Sequence, residues 1–220
     1  MSRMPLVNTA AACADRKAVV DQTQAAFGAT PNMFKTVAHS SAPPLEVSEW
    51  LNAPGGLSLS ALRGRVVMLH AFQMLCPGCV SHGLPQASKV REMFAEVDVA
   101  VIGLHTVFEH HDVMGASALK AFVHEYRLSF PIGIDRRGSG SIPLTMQAYA
   151  LQGTPSLVLI DRLGRVRLNH FGRIEDMALG ALIGQLSAEA SKGDVATQVV
   201  STTEVSDSGC DDEACAVVVR

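Results

Sequence analysis

Three runs in this sequence are almost continuously apolar: RVVMLHAF at 65–72, VDVAVIGLH at 97–105 and SLVLID at 156–161. Runs of this length, bounded by turn residues and rich in Val, Ile and Leu, are what strands covered on both faces look like. Helical stretches alternate with them, one from about Pro77 to Phe94 and another, ALKAFVHEYRL, at 118–128. The alternation predicts two βαβ units with a parallel core, and hence an α/β domain. After SLVLID, the tetrapeptide DRLG marks a tight turn into RVRLNHFG at 165–172, whose alternation predicts a half-exposed antiparallel strand. Ile174, Met177, Ala178, Ala181, Leu182 and Leu186 then share one face of an amphipathic helix over 174–186 that should lie back on the sheet.

The chain has 220 residues, 48% of them hydrophobic, which suits one domain with a sizeable core and extensions at either end. Residues 1–43 are predicted to form an N-terminal helical extension, with two short helices over 15–40 broken at Gly28-Ala29-Thr30-Pro31. SSAPP at 40–44 and NAPGG at 52–56 punctuate a linker, and the domain proper is placed at 44–190. From 191 to 220 the sequence has no helical period and many Ser, Thr and Asp residues, so a flexible tail is expected. A net charge of −3 gives no basic footprint for nucleic acid. No signal-peptide core or membrane-length apolar run is present, so the expectation is a cytoplasmic protein with no membrane partner.

The first apolar run delivers the chain into Leu75-Cys76-Pro77-Gly78-Cys79 and then into a helix. At that helix N-terminus, orphan backbone N–H groups and the positive end of the macrodipole favour a thiolate on Cys76, making it the candidate nucleophile. Cys79, three residues on, lies one turn away on the same side, where it can attack a mixed disulfide on Cys76 and release a reduced substrate. A zinc site would need a second ligand pair, and Cys210 and Cys215, with the histidines, are the candidates for one. Thr154-Pro155 immediately precedes SLVLID, a position where proline can simply open a strand.

A strand, a CxxC at a helix N-terminus and a Thr-Pro before the hairpin strand, in this order, resemble the thioredoxin-like superfamily. The likeness, over residues 57–187, is to its thiol-disulfide oxidoreductase and thiol-specific antioxidant branch, which carries an inserted strand and helix between the CxxC helix and the Thr-Pro strand. It implies a central mixed β-sheet flanked by helices, with Thr154-Pro155 as a cis-proline facing the dithiol and forming the substrate-side wall. Leu75 stands where the family usually has tryptophan, Pro85 lies one position further along the helix, and the strand carries His70 and Gln73. The stretch AFGATPNMFKTVAHSSAP at 26–43 is similar to the opening helices of the carboxymuconolactone decarboxylase and alkylhydroperoxidase family, and carries no active site.

These readings converge on a thiol-disulfide oxidoreductase. Cys76 and Cys79 are the catalytic pair, and no organic cofactor and no metal are expected, since neither GxGxxG nor a P-loop occurs. Its partners would be a protein or small-molecule disulfide or thiol and an external reductant, such as a thioredoxin reductase-like system or a small thiol. Two alternatives stay open: a hydroperoxide reductase of the redoxin group, and a Cys/His metal-binding or redox-sensing module. A Pro-x3-Thr-x2-Cys loop for peroxide is absent, since Leu69 and Gln73 occupy its Pro and Thr places. CDDEAC in the tail makes Cys210 and Cys215 a possible redox shuttle, because roughly 20 residues of coil span on the order of 25 Å. Its acidic flank would slow those thiols. Cys13 reads as an incidental thiol, His82 as a possible modulator one turn beyond Cys79, and His105, His110, His111 and Asp112 as a possible metal cluster or, more simply, a solvated loop.

Overall fold

A computed structural model describes residues 40–189. Residues 1–39 and 190–220, with Cys13, Cys210, Cys215, the two expected N-terminal helices up to residue 39 and the 26–43 resemblance up to the same residue, lie outside the described residues. The strands are β1 (Val47–Leu51), β2 (Val66–Phe72), β3 (Val99–His105), β4 (Ile132–Asp135), β5 (Ser156–Ile160) and β6 (Val166–Phe171). The helices are α1 (Leu84–Met93), preceded by a π-helical turn over Cys79–Gly83, then α2 (Ala116–Glu125), α3 (Leu144–Ala148) and α4 (Asp176–Ala188).

One mixed sheet results, in the order β1-β4-β3-β2-β5-β6. Strands β2, β3 and β4 run parallel, while β1, β5 and β6 are antiparallel to their neighbours. Three sequence expectations are corrected here. The second βαβ unit closes on β4, only four residues long, and not on SLVLID. SLVLID pairs antiparallel with β2. A strand buried on both faces looks the same in either pairing, because its apolar run reports burial and not direction. And the segment between SSAPP and NAPGG is not linker throughout, since Val47–Leu51 forms an edge strand against β4.

Burial follows the alternation of side chains along a strand. Val66, Met68 and Phe72 of β2 enter one core layer with Leu84, Ala87 and Val90 of α1, Leu119 and Val123 of α2, and Leu179 and Ile183 of α4. Val67, Leu69 and Ala71 face the opposite layer, with Leu62, Met146 and Tyr149. β2 is thus covered on both sides, and the CPGC segment follows its end. The DRLG turn forms as expected: Gly164 N–H donates to the Asp161 carbonyl at 2.7 Å, and Gly164 adopts φ +74°, the left-handed region that favours glycine.

Pro85 explains the irregular start of the helix. It has no N–H to give to the preceding turn, and the chain widens just before it, so that Leu84 N–H reaches back to the Cys79 carbonyl, the wider π spacing. From Leu84 the helix is regular, and Gln86 ties it to α4 by donating to the Ile174 carbonyl at 2.9 Å and to Asp176 at 2.7 Å. Among the described residues no helix is long and apolar enough to cross a membrane.

Candidate active site

The dithiol sits where β2 hands over to the helix. Cys76 N–H donates to the Gln73 carbonyl, and the Cys76 carbonyl accepts from Cys79 and Val80, each bond between 3.1 and 3.2 Å. This tight reversal brings the two Cα atoms to 5.2 Å, and Cys76 and Cys79 form a disulfide. Cys79 N–H points at the Cys76 sulfur from 3.2 Å. That donor, with the helix N-terminus behind it, is suited to holding a thiolate on Cys76 once the bond is reduced. Cys76 is half-buried and Cys79 fully buried, so an incoming molecule reaches Cys76 first.

Thr154-Pro155 is a cis peptide bond. The Thr154 carbonyl oxygen lies 3.4 Å from the Cys76 sulfur; in the dithiol form, a Cys76 S–H would be the donor of that contact. Pro155 packs over the CPGC turn, and a side chain at Gly78 would sit 3.3 Å from its ring. At Gly83 a Cβ would lie 3.4 Å from Pro155 and overlap the imidazole of His70. The two glycines thus leave the room in which the Thr-Pro loop and the helix meet.

Four residues around this site have places that the sequence did not assign. Gln73 donates from its side-chain amide to the Thr154 hydroxyl at 3.5 Å, and its own amide oxygen is buried without a hydrogen-bond partner. His70, in the middle of β2, is buried, and burial pushes its pKa down to about 4. A polar residue inside the apolar run VVMLHAF was the available signal, since a buried imidazole is retained only against a penalty. Phe171 at the end of β6 lies against Gly153 and is 48% exposed, while Leu75, next to Cys76, is 59% exposed. These put one exposed apolar side chain next to Cys76 and another against Gly153, beside the Thr-Pro loop.

The histidine cluster is corrected. His105 is not in a solvated loop: it ends β3, buried with its ring 5.4 Å from that of Phe72, and burial pushes its pKa down to about 4. His110 and His111 do not join it in a metal site, and among the described residues no group of three His, Cys, Asp or Glu side chains could hold a metal ion. His82 is half-buried on the π-helical turn.

The AhpC/TSA family model matches residues 39–169. Over 134 residues the chain is 25% identical to the thiol-disulfide oxidoreductase ResA of Halalkalibacterium halodurans, covering 61% of this chain and 69% of that protein. Over 110 residues it is 27% identical to ResA of Bacillus thuringiensis subsp. konkukian, covering 50% of this chain and 57% of that one. The chain therefore spans little more than half the length of that second relative. Among solved structures, a thioredoxin-like superfamily protein is 54% identical, with a TM-score of 0.68 over 69% of this chain and 98% of that one. A thiol-disulfide isomerase from Corynebacterium glutamicum is 53% identical, with a TM-score of 0.65 over 68% of this chain and 98% of that one. With the family matched over more than half its length, the chain belongs to the AhpC/TSA family and is an oxidoreductase built on a thioredoxin-like domain.

Proposed function

We propose that this protein reduces or exchanges disulfides through the Cys76–Cys79 dithiol, with Thr154 and Pro155 binding the substrate. The observation that carries the reading is the disulfide between a half-buried Cys76 and a buried Cys79, placed against the Thr154 carbonyl at 3.4 Å. In the reducing direction, the Cys76 thiolate attacks one sulfur of the substrate disulfide, the substrate bond breaks, and the departing thiolate takes a proton. Cys79, as thiolate, then attacks Cys76 in the mixed disulfide, the Cys76–substrate bond breaks, and the second substrate sulfur leaves and is protonated. The protein ends oxidised and the substrate reduced by two electrons. A small thiol or a reductase supplies two electrons to close the cycle.

Apolar Leu75 and Phe171 beside the site support a protein substrate presenting apolar side chains near its cysteine, the edge of the Thr154 backbone offering hydrogen bonds to it. The tail pair Cys210 and Cys215 is proposed, from sequence alone, to pass electrons to or from this centre. Insulin reduction, run alongside metal analysis and a hydroperoxide assay, tests the reading. Catalytic turnover of insulin supports it. Stoichiometric zinc with no turnover would assign a metal or sensing module instead, and catalytic peroxide consumption without insulin reduction would assign a hydroperoxide reductase.

A further inference from the structure

Gln73 is a buried polar group that the exchange chemistry above does not use. It follows the last residue of β2, it is 2% exposed, and its neighbours Phe72 and Met74 are buried too. A glutamine in such a place is kept against a penalty, since an apolar side chain of similar size fills the space without burying an amide. Part of that penalty is visible in its Oε1, which has no hydrogen-bond partner. What an apolar residue could not supply is the bond from its Nε2 to the Thr154 hydroxyl at 3.5 Å. The main chain of the same residue holds Cys76, whose N–H donates to the Gln73 carbonyl at 3.2 Å. The ring of contacts closes where the Thr154 carbonyl meets the Cys76 sulfur at 3.4 Å. Elsewhere the Thr-Pro loop is tied to the end of β6, by Gly172 N–H donating to the Pro155 carbonyl at 2.8 Å, and to itself, by the Ser156 hydroxyl donating to the Gly153 carbonyl at 2.7 Å. Neither of those bonds reaches the CPGC segment.

We propose that Gln73 is a positioning residue for disulfide exchange: through its amide it holds Thr154, and with it the substrate-side wall, at a fixed place beside Cys76. The inference rests on the reading that Cys76 exchanges with a substrate bound against Thr154 and Pro155. Thiolate attack needs the incoming disulfide presented to the Cys76 sulfur in one orientation, and a small misplacement of the groups that orient it costs rate steeply. A wall carried on a loop can drift from the sulfur it faces, whereas a wall tied to the residue that also anchors Cys76 N–H keeps its register with it. The effect passes through the Thr154 hydroxyl, so it should vanish when that hydroxyl is removed. It is also confined to substrates that lean on the wall. A small reagent that meets Cys76 directly does not need it.

Insulin reduction with dithiothreitol in excess tests this, with kcat/KM for insulin as the readout. The control is the rate at which iodoacetamide alkylates Cys76 in the reduced protein, followed by mass spectrometry of its peptide. Gln73→Leu is expected to lower kcat/KM about tenfold and to leave alkylation within about twofold of the parent. In a Thr154→Val background, which has already lost the hydroxyl, Gln73→Leu should lower kcat/KM by less than about twofold. A Gln73→Leu kcat/KM within about twofold of the parent, an equal loss of alkylation, or about the full tenfold loss in the Thr154→Val background would overturn the inference. If Gln73→Leu fails to fold, Thr154→Val and Thr154→Ser give the answer. Loss of the hydroxyl in Thr154→Val should cost about tenfold, and its retention in Thr154→Ser less than about threefold. Equal rates for those two variants would overturn the inference. A parent that reduces insulin no faster than dithiothreitol alone would overturn the proposed function and this inference together, whereas a parent that turns over while these variants match it would overturn the inference alone.

Discussion

The imidazole of His70 occupies the space that any side chain at Gly83 would need. One residue lies inside a strand and the other in the helix crossing above it, thirteen positions on. Their contact sets how closely the helix approaches the sheet at the dithiol. Gly83→Ala should therefore move the ring or lift the turn, at a cost of about 1–3 kcal/mol as for other overpacked cores. Chemical denaturation of the oxidised protein checks it. An unchanged midpoint would mean that the space is not shared.

The two cysteines should respond differently to removal. Cys76→Ser is expected to lower disulfide reduction by more than about a hundredfold, since the nucleophile is gone. Cys79→Ser should instead accumulate a mixed disulfide between Cys76 and substrate, because nothing remains to release it. Non-reducing gels and peptide mapping distinguish the outcomes. Full multiple turnover by Cys79→Ser would reverse the assigned roles.

Acid should destabilise the oxidised protein through its buried imidazoles. Burial pushes both His70 and His105 down from 6.5 to about 4. Between these values the unfolded chain binds protons that the folded one refuses, so this stability is whole above pH 6.5 and is lost as pH falls toward 4. The two together amount to a few kcal/mol, on the order expected for depressions of this size. A His70→Leu, His105→Phe double variant should lose less stability than the parent across that window, measured as Tm against pH. Parallel curves would contradict the assignment.

Asp135 tests whether the far side of the sheet matters to the chemistry. Its carboxylate, at the end of β4, accepts from the Thr106 hydroxyl at 2.9 Å and from the backbone N–H groups of Thr145 at 2.9 Å and Met146 at 3.0 Å. Asp135→Ala strands these donors and should cost about 2–4 kcal/mol. At a temperature where the variant is folded, its rate of insulin reduction should match the parent. A large loss of rate would place Asp135 within the reach of the site.

Strands β2, β3 and β5 were legible in the sequence because their apolar runs are nearly unbroken, and β6 because its residues alternate. β1 and β4 were not. VSEWL mixes exposed and half-buried positions at the sheet edge, and IGID is four residues long, too short to stand out from the loop around it. The pairing of Cys76 with Cys79 was legible from their spacing along the chain, and the place of Thr154 and Pro155 beside them only through the resemblance to the thioredoxin-like superfamily. Gln73 and His70 were visible only as polar residues in an apolar neighbourhood. What each of them meets, Thr154 in one case and the void at Gly83 in the other, depends on how β2, the helix and the Thr-Pro loop converge.

If Cys76 and Cys79 are the pair that exchanges with substrate, they should suffice when a small thiol supplies the electrons, and removing the other three cysteines isolates them. A Cys13→Ser, Cys210→Ser, Cys215→Ser variant retains only the active-site pair. With dithiothreitol as reductant, a small thiol that needs no shuttle, it should reduce insulin over many turnovers at a rate within about twofold of the parent. Reduction no faster than by dithiothreitol alone would mean that Cys76 and Cys79 do not turn over disulfides.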